Sequence, residues 1–304
     1  MKEICVKNNQ RALAFRTKMK RFWIAFSFIA PAGLFFIVFR YYTSLQSLIY
    51  SFFNYKFSDP PGNFIGFDNY IAVFSNPSFY NQLWNTVVLF LFGLAFGFWV
   101  PIVQALLLNE LTKGRGVVRY LYVVPAGIPS IAMLAVQKYI WDPTGGLANA
   151  ILQLIGIESQ GFLIDPDQVK ICLRILGLLG GGVSMLIYYV AINNISDEFY
   201  EAAKVDGATR WRMMFSLTLP NMKNIIGIQL LLSLSSSLLA FDDIFVLTQG
   251  GPGGASETIV MGIYNSIYYN SGYGIGMAMS VIVLVITVGL VSLQLWFNKK
   301  GGEA

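Results

Sequence analysis

The sequence predicts an all-α integral membrane protein of six transmembrane helices, and three observations carry the prediction. Hydrophobic residues make up 55% of the chain and charged residues 12%, with a mean hydropathy of +0.58; a soluble domain carries roughly 25% charged residues. Apolar windows of about 20 residues, the length that crosses a hydrocarbon core, occur near 22–42, 83–108, 117–140, 170–194, 223–247 and 275–297. Basic residues are sorted by loop, as in a protein oriented by positive charge on one side of the membrane.

Composition removes several function classes. There is no His, which takes away the commonest general base and metal ligand. Cys5 and Cys172 are far apart, so neither a disulfide framework nor a metal spacing is present. The net charge of +5 is accounted for by topology, and nucleic acid is not an expected partner.

Residues 1–21 are a basic tail. The apolar run Phe22 to Phe39 that follows is longer than the roughly 7–15 residues of a secretory signal core. No A-x-A-like site follows it, so it reads as an uncleaved first span. With the tail placed inside, Lys and Arg on that side number seven in the tail, three from Lys113 to Arg119, four from Lys204 to Lys223 and two at Lys299-Lys300. That is 16 of the 21 basic residues, and the interval 242–274 has none. Both termini are therefore expected in the cytoplasm, with a six-helix domain over 22–298, a cytoplasmic loop over 196–222 and a short tail over 299–304.

The first external loop begins with an amphipathic aromatic stretch, Ser47 to Tyr55, suited to the membrane interface, and Asp59-Pro60-Pro61-Gly62 is a turn cluster. In the third span Pro125 and Pro129 imply a kink or interruption, tolerated at membrane depth only when buried in protein or lining a cavity. Asp142, Asp165 and Asp167 read as solvated turn residues. In the fourth span Gly180, Gly181 and Gly182 either let helices approach closely or admit a ligand near the backbone, and Ser184, Tyr188 and Tyr189 follow. In the fifth, Gln229, Ser233, Ser236 and Ser237 recur at helical spacing, facing a partner helix or a wet path. The adjacent acids Asp242 and Asp243 diverge by about 100° on a helix, so they suit a polar lip better than a paired-carboxylate catalyst.

One polar interval lies between the fourth and fifth spans. Ser196 or Asp197 can cap a helix whose first turn is acidic. Gly207 permits the positive-φ turn that ends it, Thr209 can cap a second helix, and Pro220 is expected to stop that one. Trp211, Met213, Met214 and Phe215 form an aromatic and methionine-rich surface that wants a protein partner. A second distinctive stretch is the glycine-rich Leu247-Thr248-Gln249-Gly250-Gly251-Pro252-Gly253-Gly254. Without G-K-[ST] at its end and placed outside, it is no nucleotide loop.

Glu201-Ala202-Ala203, Gly207 six residues on, and Leu219-Pro220 resemble the EAA loop of the membrane permeases of binding-protein-dependent ABC importers. The family usually has Ile two residues before the Leu; here Leu217 stands there. The Leu247–Gly254 stretch, with Thr258 after it, is similar to the external loop of malF- and UgpA-type carbohydrate permeases. Phe64 to Tyr70 and Trp84-Asn85-Thr86 also look like the start of such permeases.

The resemblance covers about residues 20–298 and implies a type I ABC-importer permease fold in a bacterial cytoplasmic membrane. It implies ATPase docking through Glu201, Ala202, Ala203, Asp206, Gly207, Trp211, Met214, Leu219 and Pro220, with Glu201 capping or salt-bridging within the docking helix. It implies a substrate path for a carbohydrate, of oligosaccharide type, past Gly181, Gly182, Ser184, Tyr188, Gln229, Ser233, Ser236 and Asp242. The implied partners are a second homologous permease, an ABC ATPase dimer that holds ATP and Mg²⁺, and an extracytoplasmic solute-binding protein; this chain itself binds no cofactor and catalyses nothing. An ion-coupled secondary transporter fits less well, given few intramembrane acids and no internal repeat. An enzyme acting on lipid-linked sugar lacks a nucleophile–base set.

Overall fold

The computed structural model describes residues 2–56, 62–175, 182–270 and 272–302. Its elements follow the apolar pattern. A first helix, α1 (Lys2–Phe36), passes through a π-helical segment (Ile37–Tyr42) into α2 (Thr43–Tyr50). After α3 (Asp68–Ser75) come α4 (Pro77–Phe92), a second π segment (Gly93–Phe98) and α5 (Trp99–Glu110), which together make one long span. Asn76 caps α4, accepting from the Ser78 amide at 3.0 Å, with Pro77 in the first turn, where its missing N–H costs nothing.

The third expected span is broken. Helix α6 (Arg115–Val123) runs on through a 3-10 turn (Val124–Gly127), and this run meets α7 (Ser130–Ile140) at 103° across Ile128-Pro129. Pro125 and Pro129 supply the reason, each lacking an amide for the helical ladder. Then come α8 (Leu147–Leu154), α9 (Val169–Ile175) and α10 (Gly182–Asn193). The last two are the described parts of the expected fourth span; Gly180 and Gly181 between them lie outside the described residues, as do Asp59, Pro60 and Pro61 of the expected turn.

In the polar interval lie α11 (Asp197–Val205), α12 (Arg210–Met213), a third π segment (Met214–Thr218) and α13 (Leu219–Asn221). The chain then enters α14 (Lys223–Leu238) and α15 (Asp242–Leu247). Pro220 does not stop the helix, contrary to expectation. The π segment immediately before it widens the turn, so the ladder runs past the missing amide, and Met222 N–H reaches the Thr218 carbonyl at 3.2 Å. Finally, α16 (Ile259–Tyr268) lies outside the six apolar windows, and α17 (Tyr273–Gly302) is the last span.

Among the described residues four helices are long and apolar enough to cross a membrane, and five if α6 and α7 count as one broken span. The fourth expected span is represented only by its two shorter pieces.

Three apolar clusters hold these elements together. Phe98, Ile102, Ala105 and Leu108 of the second span interlock with Met185, Tyr188 and Ile192 of α10. Leu134, Trp141, Leu173, Ile244 and Leu247 join α7, α9 and α15 toward the other end. Val73, Phe79, Ile259 and Ala278 join α3, α4, α16 and α17. Many other apolar side chains face outward: Phe28 is 81% exposed and Ile29, Phe39 and Leu107 are also exposed, a surface suited to lipid or a second membrane subunit.

Candidate functional site

One end of the molecule carries the polar interval. The Ser196 hydroxyl accepts the Glu198 amide and caps α11, while Thr209 accepts the Arg212 amide and caps α12; each such cap contributes about 1 kcal/mol. Between them Gly207 has φ 74°. The Ala208 amide reaches back to the Ala203 carbonyl at 2.9 Å and that of Gly207 to Lys204 at 3.0 Å, the paired bonds that close a helix through a left-handed residue. Glu201, expected to cap or salt-bridge within this loop, does neither: Ser196 is the cap, and Glu201 is exposed and outside both salt bridges of the described residues.

The turn sets out an exposed face. Trp211 is 72% and Phe215 62% exposed, one turn apart and stacked with centroids 6.4 Å apart. Val205 and Phe199 are also exposed; neither was singled out in the sequence, because an isolated apolar residue in a charged helix gives no periodic signal. Ala202, Asp206 and Gly207 are exposed, and Ala203 and Met214 half-buried. Leu219 faces the other way and packs on the molecule's own Phe98–Met222 cluster, so it is not part of this outward face. Arg210 reaches Glu110 of α5 at 3.3 Å, which brings the two polar loops to the same end; so exposed a pair contributes at most about 1 kcal/mol.

At the opposite end the glycine-rich stretch is tied down. Gln249, Gly250, Gly253 and Gly254 all have positive φ. Asn85 donates to the carbonyls of Gly254 (2.8 Å) and Glu257 (3.0 Å), and Ser256 donates to the Gly251 carbonyl at 2.6 Å. A cleft of about 290 Å³ separates this loop from Trp141–Pro143.

Between the two ends lies an open cavity of about 590 Å³. Its walls are the second π segment (Gly93, Phe96, Gly97), α7 (Ser130, Gln137), Arg174 of α9, and the end of the fifth span (Ser236, Ser237, Phe241, Asp242, Asp243). The Arg174 Nη1 donates to Asp243 Oδ2 at 2.8 Å with both side chains largely buried. Its Nε and Nη2 are buried with no partner among the described residues. Sequence spacing offered no signal for this pair, whose members are 69 residues apart.

Of the expected path residues, Ser236 and Asp242 line this cavity; Gly182, Ser184, Tyr188, Gln229 and Ser233 do not. Tyr188 is 1% exposed in the core cluster, because its face of α10 is the one packed on the second span. Gly182 lies where an added Cβ would strike the Tyr122 carbonyl, so its smallness serves helix approach. Gln229 is buried with Nε2 unpartnered among the described residues, Ser184 and Ser233 are half-buried, and Gly181 lies outside the described residues.

Comparisons with known proteins bear on these sites. The family model "Binding-protein-dependent transport system inner membrane component" matches residues 93–301. The trehalose/maltose transport system permease protein MalF of Thermococcus litoralis is 32% identical over 238 residues, 78% of this chain and 80% of that one. The crystal structure of a bacterial ABC transporter involved in the import of the acidic polysaccharide alginate superposes with a TM-score of 0.84 at 27% identity, over 93% of this chain and 98% of that one. A second, of the alginate transporter in complex with an alginate pentasaccharide-bound periplasmic protein, gives 0.82 at 27% identity, over 91% and 94%.

Proposed function

The chain belongs to the family of binding-protein-dependent transport system inner membrane components, and from that membership we propose how its sites divide the work of an ATP-driven carbohydrate importer. It is a membrane permease subunit that catalyses no reaction itself. A solute-binding protein delivers the carbohydrate, of oligosaccharide size, at the end that carries the Gly250–Gly254 loop. A separate ATPase dimer holds ATP and Mg²⁺ and docks on the exposed face around Trp211 and Phe215. A second, homologous permease covers apolar faces left open here and completes the path. Positive charge on the 109–116 and 196–223 side supports a cytoplasmic location for that end and for both termini.

One observation carries the coupling: α12, the third π segment, α13 and α14 follow one another with only Met222 between the last two, from the exposed Trp211–Phe215 face to the cavity at Ser236. Movement at the docked loop is thereby passed to the cavity wall. Inverting a 1:99 equilibrium of outward and inward states takes about 5.5 kcal/mol of differential binding. A rigid helical connection delivers that difference; a flexible loop would dissipate it.

The test is affinity purification from mild detergent of the wild type beside Gly207→Trp. A Cβ at Gly207 has nothing within 4 Å, so the side chain starts into open space, and the backbone strain of a left-handed residue is roughly 1–2 kcal/mol. The wild type is expected to retain a second permease and an ATPase, and the variant to lose the ATPase alone with span insertion intact. A wild type that retains no ATPase in several detergents would remove the importer reading. Uptake that survives ATP depletion but not uncouplers would replace it with ion-coupled transport.

A further inference from the structure

We propose that the 590 Å³ cavity admits uncharged sugars and rejects acidic ones, with Asp242 setting the discrimination; this rests on the carbohydrate-importer reading above. Among the described residues, three charged side chains line the cavity: Arg174, Asp242 and Asp243. One cation against two carboxylates leaves a formal charge of −1 on the wall. The cation is also withheld from any ligand. Its Nη1 is taken by Asp243 at 2.8 Å, and its Nε and Nη2 are buried beneath the surface. The two-pronged donor face with which arginine recognises a carboxylate is therefore not presented to the cavity. Asp242 by contrast is exposed and outside both salt bridges of the described residues.

The wall thus offers a ligand a free carboxylate, the neutral groups of Ser130, Gln137, Ser236 and Ser237, and the rings of Phe96 and Phe241. Sugar hydroxyls donate to a carboxylate in strong, charge-assisted bonds, and a sugar's apolar ring face suits an aromatic side chain. A uronate carboxylate in the same place meets like charge at close range, a repulsion that added salt screens because Asp242 is exposed.

The test uses the purified complex of this chain with its second permease and ATPase, without the binding protein, whose own selectivity would mask the cavity's. The probes are trigalacturonate and its uncharged methyl triester, measured by equilibrium dialysis at low and high salt. The ester is expected to bind at least tenfold more tightly to the wild type. High salt should shrink that ratio, Asp242→Asn should narrow it several-fold, and Asp242→Lys should reverse it. A merely structural role for Asp242 would weaken both probes together and leave the ratio and its salt dependence unmoved. The proposal is overturned if the wild type binds the acid as tightly as the ester, if neither variant moves the ratio, or if neither probe binds. Those failures leave the importer reading standing so long as the ATPase is retained; a complex without ATPase removes that reading and this inference with it.

Discussion

At Asp142 a single carboxylate gathers three donors: the Thr144 hydroxyl at 2.7 Å, the Thr144 amide at 2.9 Å and the Gly145 amide at 3.0 Å. The Thr144 hydroxyl, then the Gly145 and Thr144 amides, favour the charged form and hold its pKa below the ordinary 3.8. The folded value is depressed, so the stabilisation is present above the unfolded value and is lost as pH falls through the folded one. Acidification below about pH 3.8 should thus lower the protection from hydrogen exchange, relative to the intrinsic rate at each pH, of the Thr144 and Gly145 amides. Asp142→Asn should already show the lowered protection at neutral pH and lose the acid-dependent step; a variant that keeps the step would assign it to another group. Such turns are legible in sequence because donor and acceptor lie within three residues. Ser196 and Thr209 were legible for the same reason, and Gly207 because a left-handed helix end favours glycine. Arg174 with Asp243, and the burial of Tyr188, were not, since neither periodicity nor spacing says which face of an apolar helix meets which neighbour.

Prolines and glycines decide the elements, and the two differ in how plainly they read. Pro125 and Pro129 announce the break between α6 and α7. Pro220 looks the same in sequence yet sits in a continuing helix, because a π turn over Met214–Thr218 absorbs the missing amide, and nothing local distinguishes the two outcomes. Helix α16 was not legible, because its 10 residues fall short of a membrane-spanning window. Gly182 fixes the fourth span against the third, its added Cβ striking the Tyr122 backbone, whereas Gly33 has nothing within 4 Å. Gly182→Val should therefore cost about 1–3 kcal/mol, read as a lower midpoint of thermal unfolding in detergent. Gly33→Val serves as the control and should stay within about 1 kcal/mol of wild type, the helix-propensity range. Equal midpoints for both variants would mean that α10 does not approach the Tyr122 carbonyl.

Across the whole molecule, geometry and charge agree on two ends. The Arg210–Glu110 contact joins the loops rich in Lys and Arg, and the Asn85 bonds to Gly254 and Glu257 gather the end whose 242–274 stretch has none. Segregation of this kind orients membrane proteins because short basic loops stay on the cytoplasmic side. A cysteine at an exposed position on each end distinguishes the two orientations, with Cys5 and Cys172 first replaced by Ser or Ala. Lys113 and Glu158 are both exposed and lie at opposite ends of the broken third span and the loop beyond it. In intact cells a membrane-impermeant maleimide should label Glu158→Cys, and should label Lys113→Cys only after permeabilisation. The reverse pattern would invert the molecule and put the Trp211–Phe215 face where ATP is absent, so it would defeat the proposed docking as well as the topology. Labelling of both positions in intact cells would mean that the α6–α7 pair, bent by 103°, returns to the side it left instead of crossing.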